Sequence, residues 1–105
     1  MLIDTHTHIF LDDFKDDIDG VLNRAFKNDV QICFLPNIDT DSIEDLHKVC
    51  EKYPKNCFPM MGLHPCSVKG DYKMRLKQIE RFLNKQKYYG IGETGIDLYW
   101  DKSYF

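Results

Sequence analysis

Short apolar runs alternate with amphipathic helical stretches along the whole of this chain, and few folds accommodate that rhythm. The runs are "LIDTHTH", "VQICFLPN", "NCFPMMGLHP" and "YYGIGETG". Three of them are rich in β-branched, aromatic or other bulky apolar residues and read as buried strands; the fourth runs into a glycine-rich turn. Between them, apolar positions recur at helical spacing. The first set is Phe14, Ile18, Val21, Leu22, Ala25 and Phe26; the second is Ile43, Leu46, Val49, Cys50 and Tyr53; the third is Tyr72, Leu76, Ile79, Phe82 and Leu83. Asp41 is the expected N-cap of the second helix, with Glu44 in the capping-box position and Pro54 as its stop. Pro59 inside the third run implies a bulge. The order strand, helix, strand, helix, strand, helix, strand predicts an α/β fold of βαβ units, with parallel pairing and right-handed crossovers.

A chain of 105 residues suits one domain, and 43% hydrophobic with 13% aromatic residues supplies a core, so disorder is excluded. A net charge of -3 argues against a passive nucleic-acid binder, though not against an enzyme that meets phosphate only at its active site. No run reaches the roughly 18 apolar residues of a membrane span. The N-terminus lacks a basic region followed by an apolar one, so a soluble, cytoplasmic protein with no membrane partner is expected. Cys33, Cys50, Cys57 and Cys66 form no CxxC pair and are expected as reduced thiols in the core or at a pocket edge.

The polar residues His6, His8, Asn37, His64 and Glu93 fall at the C-terminal ends of the four expected strands, the edge where function collects in parallel α/β architectures. His6 and His8 are two apart in an extended segment, so both imidazoles can reach one divalent ion while Thr7 points away. Zn, Mn, Fe and Ni are all admissible. On this short motif alone, a hydrogen-bonded or solvated histidine pair is an equal reading. Asp4 shares their parity, as an outer acceptor or as a turn carboxylate. Glu93 is flanked by Gly92 and Gly95 within "GIGETG", where little side-chain bulk keeps its carboxylate from an ion or substrate. His64 precedes Pro65 and is held extended, able to donate to a phosphate oxygen or move a proton. His47 is expected on an exposed helix face. Tyr99 and Trp100 could stack on a base or sugar, or simply cover the rim. Asp97 and Asp101 read as turn formers.

Taken together, "IDTHTH", "GLHP" and "GETGIDLYWDKS" resemble the TatD family of metal-dependent deoxyribonucleases, with motifs spread from Leu2 to Ser103. The resemblance implies a TIM-type (β/α)₈ barrel of the metal-dependent hydrolase type, of which residues 1–105 would be about the first half, truncated after the fourth strand. It implies divalent metal ions, two per complete site, and hydrolysis of phosphodiester bonds in DNA, often as a 3'-5' exonuclease. It makes His6 and His8 metal ligands, Glu93 a catalytic carboxylate that holds or bridges the metals, and His64 a catalytic group against the scissile phosphate. Thr94 stands where a more apolar residue is usual. The family's later histidines and aspartate have no counterpart in these residues, so a non-catalytic metal-binding half barrel is an alternative, with self-association of the open sheet. A metal-dependent phosphatase that also opens on HxH is another; "GETGID" speaks against it.

Overall fold

The computed structural model describes residues Met1–Phe105. Its regular elements are β1 (Leu2–Asp4), α1 (Ile18–Lys27), β2 (Val30–Pro36), α2 (Ile43–Lys52), β3 (Cys57–Met60) and α3 (Tyr72–Lys85), with single 3-10 turns at Asp12–Phe14 and Pro65–Ser67. The strands form one parallel sheet in the order β1-β2-β3. This is a partial α/β unit of the kind the alternating pattern predicts. No helix is long and apolar enough to cross a membrane.

Strand alternation decides where the core lies. Cys33 and Leu35 of β2, with Cys57 of β3 and Met61 just after it, point to one face, where they join Leu22 of α1, Ile43, Leu46 and Cys50 of α2 and Ile79 of α3 in one buried cluster. Leu35, Leu46 and Met61 are fully buried; each such side chain is worth about 1.5–3 kcal/mol of burial. On the other face no helix covers the sheet. There Phe34 and Phe58, partners in the β2–β3 register, pack at 5.8 Å, and Tyr89 closes on Phe58 at 4.9 Å. Ile3, Tyr89 and Ile91 remain exposed beside them.

Pro59 needs no bulge. Its carbonyl accepts from Tyr89 N–H at 2.9 Å, so the missing proline N–H falls on the side away from β2. The irregularity lies in β1, where the register shifts between Leu2 and Ile3. The turn from α1 into β2 is made by Asp29, at φ 65°, a left-handed conformation that Asp tolerates.

Four expectations are corrected. Phe14 lies in a separate 3-10 turn, and α1 starts only at Ile18. Ser42, not Asp41, caps α2, and Glu44 pairs instead with Lys48 at 3.1 Å. The run "YYGIGETG" is not a regular strand: it follows β3 through the Tyr89 N–H to Pro59 carbonyl bond and one isolated parallel bridge, Met61 to Ile91, just past the end of β3. Gly90 and Gly92 have no side chains to pack, and after Gly92 the segment leaves β3 to bond the end of β2 instead. Finally, His47 is half-buried. Its Nε2 lies 2.8 Å from Tyr88 Oη and 2.6 Å from Gln86 Nε2, because the segment after α3 packs across α2.

Candidate metal centre

β1 ends at Asp4, so His6 and His8 sit in the loop beyond the strand and not within it. Two contacts keep that loop in line. Thr7 N–H donates to the Phe34 carbonyl at 3.1 Å, extending the pairing with β2, and His6 N–H donates to Asp4 Oδ1 at 3.1 Å. Asp4 is therefore a turn carboxylate. Despite the early end of β1, the two imidazoles converge, with their Nε2 atoms 3.2 Å apart.

Glu93 arrives from the far end of the chain. Its N–H donates to the Asn37 carbonyl at 2.9 Å, and Asn37 N–H donates to the Gly92 carbonyl at 3.2 Å, so the end of β2 holds the backbone on which the carboxylate stands. Its Oε2 then lies 3.0 Å from His6 Nε2 and 3.0 Å from His8 Nε2. Oε1 lies 3.2 Å from His64 Nε2. All four residues singled out in the sequence are thus brought to one spot, His6 being the most exposed of them at 53%.

Hydrogen bonding divides the imidazoles into two kinds. His8 Nδ1 is 3.0 Å from the Pro36 carbonyl, which can only accept, so Nδ1 carries a proton; in the neutral ring this leaves Nε2 as the lone-pair nitrogen that faces Glu93. His64 is the reverse: its Nδ1 accepts from Cys66 N–H at 2.9 Å, so the neutral ring carries its proton on Nε2 and donates to Glu93 Oε1. His8 offers a lone pair to the centre, and His64 offers a proton.

His6, His8 and Glu93 place one potential ligand atom each within 4.8 Å of one another. Bonds of about 2.0–2.2 Å to a divalent transition metal separate neighbouring donors by about 3.0 Å in an octahedral arrangement and about 3.4 Å in a tetrahedral one. Edges of 3.0, 3.0 and 3.2 Å match that range. Two imidazole nitrogens and a carboxylate are also the right donors, so the residues fit a divalent cation.

A sequence model of the family described as TatD related DNase matches residues 3–105. The chain belongs to the TatD family. Among its relatives is the uncharacterized metal-dependent hydrolase YabD of Bacillus subtilis (strain 168), 29% identical over 103 residues, which cover 98% of this chain and 40% of YabD. Another is the deoxyribonuclease TATDN3 of Homo sapiens, 30% identical over 109 residues, covering 92% of this chain and 38% of that protein. This TatD chain therefore spans about 40% of the length of the relatives it matches.

Around the centre of this TatD protein, Tyr99 and Trp100 are largely exposed and meet edge to face at 4.7 Å. Asp97 and Asp101 are turn formers: Asp97 accepts from Tyr99 and Trp100 N–H at 3.1 Å each, and Asp101 accepts from Ser103 N–H at 2.9 Å. The Tyr99 and Trp100 N–H bonds hold the Asp97 carboxyl below the usual carboxylate range, and the Ser103 side chain, followed by its N–H, does the same for Asp101. All four cysteines are free; only Cys66 is exposed, its thiol 3.6 Å from Asp97 Oδ2. Beyond His64 a hollow of about 320 Å³ is lined by Pro65, Val68, Ile96, Asp97, Tyr104 and Phe105 among others.

Two contributors have no recognisable sequence signal. Gly62 lies directly against Gly92 and Glu93: a β-carbon there would sit 2.7 Å from Gly92 C. The Pro36 carbonyl sets the His8 tautomer through a main-chain atom.

Proposed function

We propose that this chain carries part of the active centre of a divalent-metal-dependent phosphodiesterase acting on DNA. His6, His8 and Glu93 would hold the cation, and His64 would turn its Nε2–H, which Glu93 Oε1 accepts in this structure, to a phosphate oxygen. In this reading the sheet and the Ile91 bridge belong to the first β/α units of a single TIM-type barrel domain. Membership of the TatD family supports the reaction class. The observation that carries the residue roles is the opposed Nδ1 partners of His8 and His64, a carbonyl for one and an N–H for the other, on either side of one carboxylate.

A divalent cation bound there supplies a Lewis acid and acidifies a water for attack on phosphorus. The chain's own groups do the rest. Glu93 reaches His6 and His8 through Oε2 and His64 through Oε1, so one side chain holds the would-be ligand histidines and the proton donor together. His64 donates a charge-assisted hydrogen bond to the phosphate as negative charge builds on its oxygens.

The test has two parts. Zn²⁺ or Mn²⁺ uptake is measured on the chain and on the double variant His6→Ala, His8→Ala; normal uptake by the double variant would remove the assignment. Loaded chain is then given oligonucleotides labelled at either end. Loss of nucleotides from the 3' end identifies a 3'-5' exonuclease. Stoichiometric metal without cleavage of DNA or a phosphomonoester would favour the non-catalytic alternative, which the short span of the chain relative to its relatives also allows.

A further inference from the structure

Asn37 is a polar residue that is completely buried, at 0% exposure. A buried amide is stabilising only when its donors and acceptor find partners, and these do. Nδ2 donates to the Asp39 carbonyl at 2.7 Å and to the Gly62 carbonyl at 3.0 Å, while Oδ1 accepts from Ser42 Oγ at 3.2 Å. The first and third of these close the turn between β2 and α2. The second crosses from β2 to the chain leaving β3.

The Gly62 bond is the one with consequences for the centre. Gly62 is the residue against which Gly92 and Glu93 rest, and two residues later His64 N–H donates to the Ile38 carbonyl at 2.7 Å. Asn37 also bonds Gly92 and Glu93 through its own backbone. One residue therefore grips the segment that carries Glu93 with its main chain, and the segment that carries His64 both with its side chain at Gly62 and through its N–H, which is shared with the Met60 carbonyl at 3.1 Å. We propose that Asn37 is a positioning residue for the metal centre: its amide sets the spacing between the β3 end and the β2 end on which the Glu93 carboxylate meets its three imidazoles. It touches none of the reacting groups and acts through Gly62 and the Gly92–Glu93 peptide.

This rests on the metal-centre reading, and the experiment separates the two. Zn²⁺ affinity of the full chain is measured by calorimetric titration, and the Co²⁺-loaded chain is examined by visible absorption, whose bands report coordination geometry. Asn37→Ala and Asn37→Asp are compared with Leu22→Ala, which removes a fully buried side chain of α1 that does not contact the site. The expected result is a loss of about 10- to 100-fold in Zn²⁺ affinity and a changed Co²⁺ spectrum for the Asn37 variants. Leu22→Ala is expected to melt earlier but to keep the parent affinity and spectrum. Equal affinity in the Asn37 and Leu22 variants would overturn the positioning role alone. No Zn²⁺ uptake by the unsubstituted chain would overturn the metal-centre reading and this one with it. Should both Asn37 variants fail to fold, Ser42→Ala decides: it deletes the donor to Oδ1 together with the hydroxyl's two contacts to the Asp39 backbone, leaves the Asn37 amide in place, and is expected to weaken Zn²⁺ by about threefold; no weakening would overturn the proposal.

Discussion

A β-carbon built on Gly62 would sit 2.8 Å from the carbonyl oxygen of Glu93, closer than real side chains approach backbone. The carboxylate at the centre of the site is thus seated on a residue with no side chain, brought in from the end of β3. Gly62→Ala is expected to displace the Gly92–Glu93 peptide, cost about 1–3 kcal/mol and weaken divalent-metal binding at least tenfold. Gly70→Ala is the comparison, because an added β-carbon there meets nothing closer than Tyr104 Oη at 3.4 Å. Metal titrations on the two variants would decide; unchanged affinity for Gly62→Ala would remove the close approach from the account.

Glu93→Gln tests the polarity of His8. When the His8 ring is neutral, its Nε2 lone pair faces a carboxylate oxygen that also accepts, whereas a glutamine at position 93 can donate to it. The variant should melt about 0.5–1.5 kcal/mol more stable than the parent in a chelator and bind metal more weakly. Thermal melts with and without Zn²⁺ give both numbers. A destabilised variant in chelator would mean that His8 donates to Glu93.

His47 makes stability depend on pH. Burial pushes its imidazole below the usual value, and the Glu51 charge opposes that more weakly. The unfolded chain therefore takes up the proton first as pH falls, so stability contributed by neutral His47 is complete above about pH 6.5 and drains away below it. Urea midpoints at pH 7, 6 and 5 should fall less steeply for His47→Gln than for the parent. Parallel slopes would place the titration outside His47.

The thiols should divide one against three. Burial raises Cys50 and Cys57 to about 12, and it also raises Cys33. Cys66 is exposed, and its thiol is raised first by desolvation and then by the charge of Asp97. A chromogenic disulfide reagent at pH 8 should titrate one thiol in the native chain and four in denaturant. Asp97→Asn should speed the native reaction; no change in rate would separate the carboxylate from the thiol.

Local patterns carried much of this structure into the sequence. The β2, α2, β3 and α3 segments each have a period that identifies them without reference to the rest of the chain, and His6, His8, His64 and Glu93 stand out through an HxH pair, a following proline and flanking glycines. What could not be read depends on distant partners. Whether "YYGIGETG" pairs along β3 is settled by Asn37, which draws Gly92 and Glu93 away to the end of β2. His47 has the charged neighbours of an exposed helical residue, yet Gln86 and Tyr88 fold back over it. Asn37 itself bonds two main-chain carbonyls and a serine hydroxyl, and main-chain carbonyls leave no trace in a sequence.

His8 and His64 are chemically the same side chain, and what makes one basic and the other acidic toward Glu93 is a carbonyl at position 36 and an N–H at position 66. Neither instruction is written in a side chain. Substitution of Cys66 by any residue but proline keeps its N–H, and every residue at position 36 has a carbonyl, so both sites can drift while the centre keeps its polarity. A mutational scan will not see either instruction: position 66 is exposed, and any loss at position 36 reports the fully buried proline ring and not the carbonyl that directs His8.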